Sequence, residues 1–366
     1  MPKTSSEAAR QAHDGGLRRL KLHGPTMGAR WSVSADVGSQ LDAQALQQGL
    51  QQALADAVAQ VDAQMSPWKP ESDLQRFNRA PVGEWVPLPA QMLQVLQRAL
   101  QVCRQSEGAF DPGVGELVDA WGFGAVRDAP DAQAIRAARQ AERRPTHERL
   151  ELDMAAGRAR KQAPLQLDLC GIAKGYGVDR MVEVLQQHGV AHALAALDGE
   201  LRALGCQGCS QGGSQCGSQG DGKPWAVAVE SPMPGRRSAQ GVIELQDLAV
   251  ATSGDYRRFV ELGGVRLAHT MDARRGGPVR NSLAAVTVLA ADCMSADAWA
   301  TALLVAGPAA GLAMAQRAGL EALFVERRGG RWIETGLGRF GKDLDQAEGV
   351  DLSAHERHRS CPKREC

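Results

Sequence analysis

The chain has 366 residues, 43% of them hydrophobic, enough to furnish a sizeable core in one large or two small domains. Its 42 Lys and Arg balance 42 Asp and Glu, so the net charge is zero and, without a basic block, there is no electrostatic footprint for nucleic acid. No apolar run approaches the length of a membrane span, which excludes a transmembrane helix.

Residues 1 to 21 are polar and lack a core pattern, which predicts a flexible N-terminal segment. Residues 1 to 24 hold neither an apolar signal core nor a cysteine, so the chain as written is expected in the cytoplasm. A shortened or mis-started N-terminus would instead place it in the periplasm or on a membrane anchor. A strand is expected at 29–35, then a long amphipathic helix from Leu41 to Met65 with Leu46, Leu50, Leu54, Val58 and Val61 on one stripe. Helices follow at 89–105, 113–121 and 131–143, a strand at 165–168 and a helix at 173–188. Strands are then expected at 192–197, 225–230, 242–252, 256–268, 284–291 and 321–326, with a helix at 308–318. Helices and strands mix without regular βαβ alternation or a G-x-G-x-x-G opening. The fold class is therefore α+β, with mixed, largely antiparallel sheets flanked by helices. Residues 22–340 read as one catalytic body and 341–366 as a flexible, charged tail.

The eight cysteines form no obvious disulfide framework. Cys103, Cys170 and Cys293 fall in or beside helices and read as small buried hydrophobes. Cys206, Cys209 and Cys216 lie in a Gly/Ser/Gln-rich segment, 205–222. A C-x-x-C with one further cysteine suits zinc or a redox partner, but a fourth ligand is missing and the segment reads as a low-complexity insertion between strands.

Two stretches carry chemistry. Asp168-Leu169-Cys170-Gly171-Ile172-Ala173-Lys174-Gly175 runs from an apolar strand into a helix. It combines a carboxylate, a lysine, a glycine-opened backbone and the positive end of a helix dipole, a cradle for phosphate and metal. Ser295-Ala296-Asp297-Ala298-Trp299-Ala300-Thr301 opens an Ala-rich helix and sets Asp297 and Thr301 four residues apart, on one face. Both are hard oxygen donors suited to Mg²⁺. The competing reading makes Asp297 the helix cap and turns the Thr301 hydroxyl back on a carbonyl.

Together with four further blocks, these stretches resemble the ApbE family of FAD:protein FMN transferases over roughly residues 22 to 335. The further blocks are Thr26-Met27-Gly28-Ala29-Arg30-Trp31; Met65-Ser66-Pro67-Trp68 with Ser72-Asp73-Leu74 and Arg76-Phe77-Asn78; Gly108-Ala109-Phe110-Asp111-Pro112 with Gly115 and Trp121-Gly122-Phe123-Gly124; and Ala251-Thr252-Ser253-Gly254-Asp255-Tyr256 with His269 and Asp272. The resemblance implies that Met27, Trp68, Ala109, Phe110, Asp111, Asp168, Lys174 and Met271 contact FAD. It implies that Asp297, Thr301 and the Gly171 carbonyl hold Mg²⁺. Trp68 stands where the family usually has tyrosine, which keeps the stacking face and loses the hydroxyl. Asp111 also suits the cap of a helix beginning near Pro112. Histidine as a residue type titrates near neutrality, and Asp272 lies three residues on from His269, so either is a candidate base toward an incoming hydroxyl. Ala273 replaces the proline that usually follows the aspartate, and Asp198 replaces the first glycine of the family's Gly-Gly pair, altering a close backbone approach.

The expected activity is Mg²⁺-dependent transfer of FMN from FAD, through a phosphoester, to a Thr or Ser hydroxyl of an acceptor protein, with release of AMP. The family implies a redox or respiratory acceptor. Two other classes use the same residues: an FAD pyrophosphatase that gives FMN and AMP, and a non-catalytic flavin-binding or delivery protein.

Overall fold

The computed structural model describes residues 17–38, 43–140, 144–208, 222–232, 239–256, 259–262, 265–329 and 331–341. The chain runs β1 (Leu17–Thr26), β2 (Ala29–Gly38), α1 (Ala43–Met65), α2 (Asp73–Arg79), β3 (Val86–Pro87), α3 (Ala90–Gln105), α4 (Gly115–Ala120), α5 (Ala132–Gln140) and α6 (Thr146–Arg149). It continues β4 (Leu150–Asp153), β5 (Arg158–Lys161), α7 (Ala173–Gln187), β6 (His192–Leu197), β7 (Glu200–Leu204), β8 (Trp225–Glu230), β9 (Ala239–Leu245) and β10 (Ala249–Gly254). It ends β11 (Phe259–Leu262), β12 (Val265–Ala268), β13 (Met271–Asp272), β14 (Gly277–Pro278), β15 (Leu283–Ala290), α8 (Cys293–Ala306), α9 (Pro308–Arg317), β16 (Glu321–Arg328) and β17 (Arg331–Gly336).

An eight-stranded sheet in the order β1-β2-β6-β7-β10-β15-β16-β17 forms the backbone of the molecule, every described pairing antiparallel. This is the expected α+β class. β2 shows the period-two signature of a half-covered strand, with Trp31, Val33, Ala35 and Val37 buried. Those side chains meet Leu50, Leu54 and Val58 from the apolar stripe of α1 and Val178, Met181 and Leu185 of α7. Each fully buried Leu or Val of this layer stabilises the fold by about 1.5–3 kcal/mol. The opposite face is covered by the β8–β9 hairpin, where Trp225, Val227 and Val229 pack on Val250, Ala285 and Leu323. α8 is apolar nearly all round, and its burial on almost every side follows from that.

Four expectations are corrected. The sheet begins at Leu17, five residues before the expected start of the catalytic body at 22, because Leu20 and Leu22 point inward between outward-facing Arg18, Arg19 and Lys21. Residues 165–168 form no ladder. Their backbone is satisfied instead by the Asn78 side-chain amide, which donates to the Leu167 carbonyl at 2.9 Å and accepts from its N–H at 2.8 Å, and by Gly115 and Pro112. The strand expected at 242–252 is two, β9 and β10, separated by a turn in which Asp247 adopts φ +51°. The one expected at 256–268 is the hairpin β11–β12.

The root of the 205–222 insertion is also more ordered than its composition suggested. Gln207 and Lys223 exchange backbone hydrogen bonds, Gly208 N donates to Asp36 at 2.7 Å, and Cys206 N donates to His192 Nδ1 at 3.2 Å. Cys206 is buried and disulfide-bonded, whereas Cys103, Cys170 and Cys293 are thiols outside any disulfide. Residues 1–16, 209–221 and 342–366, on which the remaining tail and insertion expectations fall, lie outside the described residues. Among the described residues, no helix is long and apolar enough to cross a membrane.

Candidate active site

The site is built where the start of α7 crosses α8. The crossing is close because Gly175 has no side chain: a Cβ there would lie 2.3 Å from the Cys293 carbonyl oxygen and 2.9 Å from the Asp297 Cβ. Gly175 N donates to Asp297 Oδ2 at 3.1 Å, joining residues 122 apart in sequence. Asp297 is not the helix cap. Asp292 fills that role, its carboxylate accepting from Ser295 N at 2.7 Å, and Asp297 lies inside the helix, 4% exposed.

Thr301, one turn on, faces Gly171, where the position of a Cβ is 3.2 Å from Thr301 Oγ1 and 3.4 Å from the Phe110 ring. Gly171 thus leaves a cradle that any side chain would fill. The Thr301 hydroxyl lies 3.0 Å from Ser253 Oγ on β10. Its partner is therefore outside its own helix, contrary to the back-bonding alternative.

Around this crossing the charges are unevenly balanced. Lys174 Nζ sits 2.8 Å from Glu200 Oε1 and 3.5 Å from Asp198 Oδ2. Burial acts to lower the lysine's pKa, but Glu200 and Asp297 outweigh it and keep the ammonium charged. Burial, then the neighbouring Glu200, pushes the Asp297 carboxyl up to about 7, against the pull of Lys174. Burial raises Glu200 too, with Lys174 opposing it. Behind them, Asp179 accepts from Cys293 N and Met294 N at 2.9 and 2.8 Å and from Arg202 at 2.6 Å. Four carboxyl groups thus stand around two cations, Lys174 and Arg202.

The flavin candidates divide. Ala109 and Phe110 are buried, and Phe110 lies directly against Gly171. Met27 occupies the β1–β2 turn with φ +47°, its terminal methyl 3.7 Å from where a Gly177 side chain would begin on α7. Trp68 is half-exposed at 49%, open to stack on a ring. Asp168 accepts from Cys170 N at 2.7 Å, and burial raises its pKa. Asp111 serves the fold: its carboxylate accepts from Gly113 N at 2.7 Å, from Thr146 N at 3.0 Å and from the Thr146 hydroxyl. It holds a turn, and three of its acceptor positions are taken.

His269, Met271 and Asp272 form a second group on the arm from β12 to β14. Met271 packs among Leu117, Trp121 and Leu267, and His269 meets Phe123 edge-on at a centroid distance of 6.3 Å. Asp272 is 3% exposed and accepts from Arg274 N, Nε and Nη2 at 3.0, 3.0 and 3.2 Å. The Arg274 stem passes 3.9 Å from the Cβ position of Gly108, which brings this arm against the Ala109–Asp111 turn. Among the described residues no three His, Cys, Asp or Glu side chains gather as a metal cluster.

The sequence reading gave no role to Ser253, Glu200, Gly175, Asp179 or Asn78. Ser253, Gly175 and Asn78 stand within the quoted blocks, Asp179 lies further along α7 and Glu200 opens β7; the signal for each is a contact across the chain.

Two helix starts thus meet over a glycine, a carboxylate and a lysine in a layered α+β body. The chain belongs to the ApbE family, whose model matches residues 27–324. It is 35% identical over 301 residues to the FAD:protein FMN transferase of Vibrio cholerae serotype O1, covering 81% of this chain and 84% of that protein. Among solved structures it is similar to the flavin transferase ApbE from Vibrio cholerae, with a TM-score of 0.74 and 32% identity over 88% of this chain and 97% of that one. The apo flavinyl transferase ApbE of Pseudomonas stutzeri gives 0.73 and 35% identity over 87% and 95%.

Proposed function

We propose that this protein is a Mg²⁺-dependent FAD:protein FMN transferase that attaches FMN to a Thr or Ser hydroxyl of an acceptor protein, a redox or respiratory protein on the family's pattern. The observation that carries the reading is the convergence of Gly171, Lys174, Asp297 and Thr301 from two helix starts onto one cradle. Gly171 O, Asp297 and Thr301 are hard oxygen donors in a pocket with surplus negative charge, which fits Mg²⁺ completed by substrate phosphate and water. Bound there, the metal would neutralise the pyrophosphate and the leaving AMP.

The residues of the chain supply the remainder. Phe110, Met27 and Trp68 offer apolar and aromatic faces to the flavin nucleotide, and Lys174 offers the pyrophosphate a cation. His269 takes the proton from the acceptor hydroxyl as its oxygen bonds to the FMN phosphorus and the P–O bond to AMP breaks. Asp272 is the weaker candidate, since both its oxygens are engaged by Arg274; we assign it to holding the β13–β14 turn and its arginine.

The test is incubation of the full chain with FAD and Mg²⁺, with and without a flavinylatable acceptor. AMP release with a covalently fluorescent acceptor supports the proposal. Free FMN as the sole flavin product would replace it with a pyrophosphatase, and saturable FAD binding without AMP would leave only a delivery protein.

A further inference from the structure

We infer that Ser253 positions the Thr301 hydroxyl, accepting its proton so that the oxygen lone pairs face the Gly171 cradle. The inference rests on the metal reading above and adds a residue to it.

Within a helix, a threonine hydroxyl ordinarily donates to the carbonyl of the preceding turn, here that of Asp297. That orientation is indifferent to what lies beyond the helix. Ser253 offers a different acceptor, 3.0 Å away and 48 residues distant in sequence. A hydroxyl has one proton and two lone pairs, so donation to Ser253 leaves both lone pairs of Thr301 for a cation. A Cβ added at Gly171 would lie 3.2 Å from Thr301 Oγ1, so that oxygen faces the Gly171 backbone with no side chain between them.

The support is rigid. β10 pairs with β15 from Ala249 to Gly254 and with β7 at Ala249 and Val250, and Ser253 stands opposite the fully buried Val286. Its neighbour Thr252 points to the other face, where its hydroxyl lies 2.9 Å from that of Thr287. Adjacent hydroxyls on the strand therefore serve different layers. A polar partner that fixes a ligand's orientation from a strand resists loosening far better than one on a loop.

Ser253→Ala, Ser253→Thr and Asp297→Ala are compared in the full chain. Mn²⁺ binding is followed by electron paramagnetic resonance, alongside the Mg²⁺ concentration for half-maximal AMP release and FAD affinity in EDTA. We expect S253A to weaken Mn²⁺ binding about 10-fold or more, the range for losing an outer hydrogen-bond partner of a metal ligand. The Mg²⁺ requirement should rise by the same factor, FAD affinity without metal should hold, and S253T, which keeps the hydroxyl, should recover most of the loss. If D297A abolishes Mn²⁺ binding while S253A binds as the parent does, the role of Ser253 is overturned and the metal site stands. Parental Mn²⁺ binding by D297A would instead overturn the metal site itself. A loss in S253A that S253T does not recover would show that packing, not the hydroxyl, was removed.

Discussion

Asn78 is the most demanding test of how this site is held. Its amide pairs with both backbone groups of Leu167 at 2.9 and 2.8 Å, in place of a neighbouring strand, and Leu167 is 1% exposed. Asn78→Ala removes both partners at once and leaves a buried N–H and a buried C=O. An unsatisfied buried group costs roughly 1–3 kcal/mol, and a water admitted to the gap recovers part of that, so the variant should lose about 2–4 kcal/mol. For a protein of this size that corresponds to a fall in Tm on the order of 3–5 °C. The next residue is Asp168, so the loop leading to Gly171 and Lys174 should loosen as well and FAD affinity should fall. Asn78→Asp is the control: it keeps an acceptor for Leu167 N but turns an oxygen on the Leu167 carbonyl, and should be no better than alanine. The assay is a thermal melt paired with FAD fluorescence titration. A Tm within about 1 °C of the parent, with unchanged FAD affinity, would refute the reasoning, because two bonds of this geometry and burial cannot be neutral.

Asp297→Ala should abolish Mg²⁺-dependent AMP release while retaining most FAD binding through Phe110, Met27 and Trp68; parental AMP release would refute the metal assignment. Asp179 carries a pH prediction. Burial raises its carboxyl to about 6, above its unfolded value near 3.8, so the folded state holds the proton more tightly and stability falls as pH rises between those values. Relative to Asp179→Asn, the parent should lose roughly 2 kcal/mol between pH 4 and pH 6.5, read by urea denaturation; parallel pH profiles would show that Asp179 does not titrate in this range. Asp198→Gly should alter stability by less than about 1 kcal/mol, since relief of its φ of +57° offsets the added freedom of glycine. It should also tighten FAD binding several-fold by removing one carboxylate beside Lys174, and weaker binding would show that Asp198 assists the substrate.

What the sequence made legible followed from local periodicity. The stripe of α1, the four-residue spacing of Asp297 and Thr301 and the glycine-led start of α7 depend on residues near each other in the chain, and they appear where expected. The strand at 165–168 failed for a definite reason: alternation of Leu165 and Leu167 reports burial on one side, and it says nothing of whether a strand or a side-chain amide satisfies the backbone. β1 escaped because Arg18, Arg19 and Lys21 masked two inward leucines. The disulfide at Cys206 was hidden by the low complexity around it.

The two aspartates flanking the start of α8 show where such reading stops. Asp292 and Asp297 both stand near the beginning of an apolar helix, and either could cap it. The choice was made by distant residues. Asp179 takes the first-turn N–H groups of Cys293 and Met294, Asp292 takes that of Ser295, and with those donors occupied the helix has no need of Asp297. Asp297 is then buried against Gly175 in a place where Lys174 alone cannot balance it and Glu200 opposes it. A carboxylate retained there destabilises the fold unless something charged joins it. That conflict between local stability and placement supports the metal-ligand role proposed for Asp297, and it exists only once α7 and α8 have crossed.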